Sequence, residues 1–321
     1  MKAMPLDGHV SMMERLLRLR ALPAFSKMTD AELSVIAHHV EEVDFEPGDI
    51  LIREGNLVQH TLAILEGEVE VLRGGVVITP SSRKNGVGSL NMIARYHAEH
   101  QIRAVTHLRA LAIKYDRLLE LMEDTFTILT HLLNVLADAT VETYCEMDVD
   151  FHAPDRLRPK PSWLRIDGRP LDLVERILSI RQIPAFARSS LDSVSHYAGM
   201  LEQIQFPAGT VLWEEGSPCY HYLHVVDGVV RGNRQGADGV LRFSTPSMPG
   251  FFGAISDRHD RWYTAVAETD LIALRADREV LPDILEDNFE MASLFVTLVA
   301  RRLVRFLKQR DYTEDDSTHK A

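Results

Sequence analysis

Residues 14–25 read ERLLRLRALPAF and residues 175–186 read ERILSIRQIPAF, one segment met twice in the same chain at an interval of 161. The same interval carries Phe45 onto Phe206, Gly48 onto Gly209, Glu54 onto Glu215 and Gly55 onto Gly216. It runs on through Leu62 to Leu223, Gly67 to Gly228 and Val69 to Val230, and is extended to pair Asp116-Arg117 with Asp277-Arg278. Spacing held over so long a stretch marks a duplicated domain.

Each copy opens on a short helix, with Leu16, Leu17 and Leu19 facing inward in the first, that stops before Pro23 or Pro184. Thr29 followed by Glu32 three residues later is a capping box and starts the next helix. Apolar residues then alternate as Val43/Phe45, Ile50/Ile52, Leu62/Ile64 and Val69/Val71, broken by Gly48, Gly55, Gly67 and Gly74-Gly75. A period of two between glycine turns predicts short strands. Many such strands in series predict a closed antiparallel roll. A helix ends each copy; in the second, Leu294, Phe295, Leu298, Val299, Leu303, Phe306 and Leu307 form one apolar stripe. Arg301, Arg302, Arg305, Lys308 and Arg310 in its later turns suit the negative end of the helix dipole, or form a basic interaction surface.

The expected fold class is α+β: two β-rolls of the double-stranded β-helix or jelly-roll type, each flanked by helices. The expected domains are 9–149 and 171–310, joined by a linker over 150–170 that holds four prolines and followed by a polar tail over 311–321. At 321 residues and 45% hydrophobic content, the chain can build two cores. A net charge of -12 argues against nucleic acid and anionic membrane as partners. Cys145 and Cys219 are far apart, as suits free thiols in a reducing compartment. The first twenty residues lack a signal-peptide pattern, and Met291 to Ala300 is short of the roughly 20 apolar residues that cross a bilayer. A cytoplasmic location is therefore expected.

No catalytic motif of the GxSxG, HExxH, Walker-A or GxGxxG kind occurs, so no enzyme, catalytic residue or cofactor is expected. Glu54 and Glu215 precede turn glycines at matched positions and read as structural residues at a roll corner. His221 and His224, three apart on a strand, point to opposite faces, and His38-His39 diverge on a helix. The histidines therefore read as scattered surface residues, with no metal site.

The ordered words Pro23-Ala24-Phe25, Phe45-Glu46-Pro47-Gly48, Glu54-Gly55 and Glu66-Gly67 return as Pro184-Ala185-Phe186, Phe206-Pro207-Ala208-Gly209, Glu215-Gly216 and Asp227-Gly228. Followed by a Gly-Phe-Phe-Gly turn and a helix, they resemble the cyclic nucleotide-binding domain family, twice over. The resemblance implies a cassette of the form F-G-E followed by R-x-A. In it the glutamate accepts the ribose 2′-hydroxyl, the arginine pairs with the cyclic phosphate, and turn amides donate to phosphate oxygens.

In copy 2 this maps the phosphate cassette onto Gly250, Phe252, Gly253, Ala254, Ile255, Ser256, Arg261 and Trp262. Ala254 stands where the glutamate belongs, a loss of roughly 1.5–3 kcal/mol for one charge-assisted hydrogen bond. Trp262 follows the arginine where a small residue is usual. Arg261 reads either as the phosphate ligand or as an exposed hairpin arginine paired with Asp257 or Asp260. In copy 1 the cassette is degenerate: Gly88 and Ser89 fall in the turn, with Ser89 at the glutamate position. The fixed interval places His100 under Arg261, and Arg103 lies three residues later. His100 reads as a solvated histidine or a pH-dependent phosphate contact.

The leading expectation is a cyclic-nucleotide-responsive regulatory protein that holds cyclic AMP or cyclic GMP in copy 2. Ligand would draw the closing helix around Leu294 to Leu307 over the pocket, and an unidentified effector protein would carry the output. The alternative is a pseudo-receptor, two rolls kept as an interaction scaffold, with homo-oligomers forming through the closing helices. A transcription regulator lacking its DNA-binding module is a third reading, since only Asp311 to Ala321 follow the last helix. The resemblance extends to the regulatory subunit of cyclic-AMP-dependent protein kinase, which carries two such domains. Kinase inhibition is not implied, because no Arg-Arg-x-Ser/Ala segment is present.

Overall fold

The computed structural model describes residues 10–146, 169–236, 240–245, 247–256 and 259–318, with 309–318 as backbone alone. Most of the expected linker, 150–168, and the last three residues of the expected tail lie outside them.

Copy 1 begins with α1 (Met12–Arg20), a 3-10 turn over Pro23–Phe25, and α2 (Asp30–Ala37). The Thr29/Glu32 capping box is made, with both reciprocal bonds present. Eight strands follow: β1 (Glu41–Phe45), β2 (Ile50–Ile52), β3 (His60–Glu66), β4 (Val69–Arg73), β5 (Val76–Ser82), β6 (Gly86–Val87), β7 (Gln101–Ala104) and β8 (Leu108–Lys114). A one-turn helix, α3 (Ser89–Ile93), sits between β6 and β7; α4 (Tyr115–Asp124) and α5 (Phe126–Glu146) close the copy. The strands pair antiparallel in two sheets, ordered β1-β8-β3-β6 and β2-β7-β4-β5. Leu62, Val69, Leu108 and Ala110 are fully buried between them, the inward half of the expected alternation. Leu19 is buried as expected of α1, whereas Leu17 is 62% exposed: it lies two residues from Leu19, on the outer side of the helix.

Copy 2 repeats the plan with α6 (Leu173–Ile180), α7 (Pro184–Ala187), α8 (Leu191–Met200), β9 (Glu202–Phe206), β10 (Val211–Trp213), β11 (His221–Asp227), β12 (Val229–Asn233) and β13 (Val240–Ser244). The one-turn helix is α9 (Phe251–Ile255), followed by β14 (Thr264–Ala267), β15 (Leu271–Asp277), α10 (Val280–Glu286) and α11 (Phe289–Thr318). Its sheets run β9-β15-β11 and β10-β14-β12-β13. The expected polar tail is helical through Thr318.

The duplication is visible bond by bond. Arg15 and Arg176 hold matched carbonyls, those of Val10 and Val40 in one copy and of Leu171 and Leu201 in the other. Glu54 accepts from the Gly74 amide at 2.8 Å and Glu215 from the Gln235 amide at 2.7 Å, the corner role that their positions suggest. Gly67 and Gly228, at φ +103° and +97°, both sit where a Cβ would run into the backbone before β8 or β15. No larger residue fits that turn in either copy.

The interval is not constant, however. Gly55 and Gly216 both donate at 2.7 Å, to the carbonyl of Ala98 in one copy and of Arg261 in the other. The interval has by then grown from 161 to 163, because copy 2 carries one extra residue before its cassette and one within it. Tyr115 donates to Gln59 as Arg278 donates to Tyr220, so the expected pairing of Asp116-Arg117 with Asp277-Arg278 is two residues out of register.

The chain divides into two compact units that do not follow the repeat boundaries. One unit is Met1–Leu136 with Val296–Lys308; the other is Ala137–Phe295 with Gln309–Ala321. Each roll is thus completed by the later part of the other copy's closing helix. No helix among the described residues is long and apolar enough to cross a membrane.

Candidate functional site

In copy 2 the chain enters α9 through Gly250 at φ +85°. A Cβ at Gly250 would lie 2.5 Å from Arg261 Nη1 and 3.4 Å from the Trp213 ring. Glycine is required there both for the backbone angle and to admit the guanidinium. The strand-like stretch before β14 fixes Arg261 by its backbone: its amide donates to Ser217 and its carbonyl accepts from Gly216. The guanidinium stacks 4.1 Å over the Trp213 ring, and the whole residue is 3% exposed. Arg261 is therefore not the exposed hairpin side chain of the alternative reading. Among the described residues it has no ion pair, with Asp260 or any other acid; Asp257 lies outside them.

Arg261 has the Tyr263 hydroxyl and the Cys219 thiol around it, the thiol hydrogen-bonded to the guanidinium. Its Nε and Nη1 are buried without hydrogen-bond partners, and so is the indole Nε1 of Trp213. The Tyr263 hydroxyl accepts from the Gly250 amide at 2.8 Å, and the Cys219 thiol points at the Gly250 carbonyl at 3.5 Å. Burial lowers the pKa of Arg261 and raises that of Cys219. His221 is held down at about 4, by burial first and then by the Arg261 charge. A buried cation without a carboxylate costs several kcal/mol unless something supplies the anion.

The rest of the expected cassette is placed as follows. Phe252 is half-buried; Gly253 admits Cys219, whose Sγ would lie 3.2 Å from a Cβ there. Ala254 and Ile255 are buried in α9. Ser256 ends the helix and donates to Asp138 of α5, both buried. The Trp262 ring lies 4.8 Å from that of Tyr144, also on α5.

In copy 1, Gly88 at φ +89° takes the place of Gly250. Ser89 opens α3 and so matches Phe251, while the buried Met92 matches Ala254; Ser89 is not at the glutamate position. Ala98, not His100, occupies the position of Arg261, for the reason of register given above; His100 matches Tyr263. Arg103 is spent on Glu70 at 2.5 Å. The cassette end of copy 1 is instead held by α11: Arg301 Nε donates to the Ala94 carbonyl at 2.8 Å, and Lys308 pairs with Glu99. Both cations lie over Tyr96, at 5.6 and 5.2 Å.

Two further expectations are corrected. The later turns of α11 meet copy 1, so the helix beside the copy 2 cassette is α5, although Phe295 at the start of α11 does pack on Phe251. His224 is no surface histidine but is 2% exposed, bonded through Nε2 to Tyr197, whose hydroxyl also meets Tyr222. His221 and His224 do face opposite sides of β11, one toward Trp213 and the other toward Tyr197. Trp213, Cys219, Tyr263, Asp138 and Tyr144 escaped the sequence reading. Among the described residues no group of three or more His, Cys, Asp or Glu is placed to hold a metal.

Two antiparallel rolls, each interrupted by a one-turn helix at a left-handed glycine and closed by helices, define a tandem of β-roll modules. The chain belongs to the cyclic nucleotide-binding domain family, whose model matches residues 42–125 and 203–288. Among curated proteins it is 30% identical over 108 residues to the CRP-like cAMP-activated global transcriptional regulator of Mycobacterium tuberculosis, over 33% of this chain and 48% of that one. The chain thus spans about half the length of the curated relatives it matches. Solved structures similar to it include the regulatory subunit of a cAMP-independent protein kinase A from Trypanosoma cruzi bound to guanosine. That one has 15% identity and a TM-score of 0.35, covering 89% of this chain and 88% of that one. The regulatory domain of Toxoplasma gondii PKA with cAMP has 13% identity and a TM-score of 0.35, covering 88% and 97%.

Proposed function

We propose that this chain is a non-catalytic, cyclic-nucleotide-responsive regulatory protein whose ligand sits in copy 2, with its phosphate on Arg261, and whose output passes to a partner protein. The observation that carries this reading is the buried Arg261 guanidinium, with Nε and Nη1 unpartnered and no ion pair among the described residues. An anion that enters restores those bonds and offsets the desolvation of the charge. Ala254 leaves a sugar hydroxyl without its usual acceptor, so affinity for an unmodified cyclic nucleotide falls about tenfold to a hundredfold below that of a full cassette. Calorimetric titration with cyclic AMP and cyclic GMP, on the native chain and on Arg261→Ala, tests it. Saturable binding that Arg261→Ala abolishes is expected; no heat at high micromolar ligand rejects the reading.

The scaffold reading applies best to copy 1. Ala98 removes its cation, and Arg301 and Lys308 tie its cassette end down from within the unit. Copy 1 then serves as a support rather than a receptor.

A further inference from the structure

Two residues that flank Arg261 in the sequence, Ser256 and Trp262, both contact one helix. Ser256, where α9 ends, gives its hydroxyl proton to Asp138, and Trp262, next to Arg261, packs its ring on Tyr144. Asp138 and Tyr144 lie six residues apart on α5, and both are buried, at 4% and 8% exposure. The same stretch of helix makes a third contact, from Arg234 to the Cys145 carbonyl at 3.2 Å. Helix α5 belongs by sequence to copy 1, the copy with Ala98 at the position of Arg261. Its residues from Ala137 onward nevertheless lie in the compact unit of copy 2.

The matched contact in the other unit has different chemistry. Position 138 corresponds to 301, and Ser256 corresponds to Ala94. There the helix is the donor, through Arg301 to the Ala94 carbonyl, and the cassette offers backbone only. A side-chain bond made on the serine, where the matched position of copy 1 offers its backbone carbonyl, marks the α5 contact as more than packing.

We infer that Asp138 and Tyr144 are positioning residues of the copy 2 ligand site. They tie Ser256 and Trp262 to α5 and so aim the Arg261 guanidinium before ligand arrives. Preorganisation of this kind raises affinity by removing the ordering that binding would otherwise require. The inference rests on the proposed ligand reading for its effect on affinity, but not for its effect on the loop.

The test uses the full chain and two pairs of variants. Asp138→Ala and Tyr144→Ala remove the contacts, whereas Asp138→Asn keeps an acceptor and Tyr144→Phe keeps the ring. With cyclic AMP as the probe, each alanine variant is expected to bind about tenfold more weakly, and each conservative variant within about twofold of the native chain. Arg301→Ala, the matched change in the other unit, leaves this affinity unaltered. Alanine variants that bind cyclic AMP like the native chain overturn the inference while leaving the ligand reading intact. If the native chain gives no binding at all, the ligand reading fails, and hydrogen exchange of the ligand-free chain decides the positioning role. Faster exchange of the amides of residues 259–263 in Asp138→Ala and Tyr144→Ala supports it, and unchanged exchange overturns it. Should Asp138→Ala fail to fold, the Tyr144 pair carries the same comparison.

Discussion

Copy 1 and copy 2 place Ala98 and Arg261 on the same backbone hydrogen bonds, and the differences around them follow from what each side chain needs. Arg261 has Trp213 beneath it and Tyr263 two residues on; Ala98 has Ile52 and His100 at those positions. One roll has a small apolar residue at this position, and the other has a buried cation without an ion pair among the described residues. The difference shows that a duplicated fold can hold its frame while its two cassettes take opposite electrostatic characters.

The sharpest way to break this comparison is to exchange the two residues. Arg261→Met keeps an aliphatic stem against Trp213 and removes the unpaired charge. Cyclic AMP binding is expected to fall at least a hundredfold, while the ligand-free chain gains roughly 1–3 kcal/mol. Ala98→Arg does the reverse in copy 1. At 5% exposure, a side chain as long as arginine has no room there. It is expected to cost about 3 kcal/mol or more without creating a second site. Urea unfolding and calorimetry on the same samples separate the two effects. An Arg261→Met chain less stable than the native one would mean that the arginine is already satisfied without ligand.

A second asymmetry lies under the cassettes. Copy 2 buries Tyr197, Tyr222 and His224 in one hydrogen-bonded cluster, where copy 1 has Ile36, Thr61 and Ala63. Burial drives His224 down to about 3 and raises both tyrosines. A histidine whose folded pKa lies below its unfolded value of 6.5 contributes its full stability above that value. That contribution is lost as pH falls from 6.5 toward 3. His221 and its counterpart His60 are both lowered by burial, so that term is shared between copies and His224 is the added one. Copy 1 holds an acid instead. Burial pushes Glu32 up, but hydrogen bonds from Thr127, Thr29 and His131 prevail and bring it to about 2. Its contribution fades only below 4.5. Between 6.5 and 4.5, then, copy 2 weakens first. His224→Gln is expected to flatten the acid-side loss by about 1.4 kcal/mol per pH unit, read from urea midpoints between neutral and mildly acid pH. An unchanged slope would mean that His224 is protonated in the folded chain.

Most of the architecture was open to reading because repeats, turn glycines and alternation are local signals. Gly48, Gly67 and Glu54 recur at one interval since each is tied to a turn that the fold cannot vary. The fixed interval sets His100 two residues away from the position of Arg261 because an interval is blind to insertions, and both insertions fall in the variable stretch between β13 and β14. Arg261 was legible by its type and distance from the turn. Its burial was not, since that depends on Trp213, Gly250 and Cys219 meeting from separate strands. The partner of α5 left no trace at all: an apolar stripe says that a helix packs, not on which core. Asp138 and Tyr144 look like ordinary helix residues until Ser256 and Trp262 are seen beside them.

The smallest expected effect concerns the point where the two copies agree. Glu54 and Glu215 each accept one hairpin amide, from Gly74 and Gln235, and each is half-exposed. A partly solvated charge-to-amide bond of this kind is worth about 0.5–1.5 kcal/mol. Glu54→Ala and Glu215→Ala are therefore expected to lower stability by that amount, equally to within a few tenths, and to leave cyclic AMP affinity unchanged. Urea titrations of the two variants, with calorimetry of the second, supply the comparison. Equal losses mean that the corner is a frame element inherited intact by both rolls. A selective loss of ligand binding in Glu215→Ala would instead extend the copy 2 site to the hairpin corner, and the boundary between shared frame and divergent cassette would have to be drawn further out than Arg261 and its neighbours.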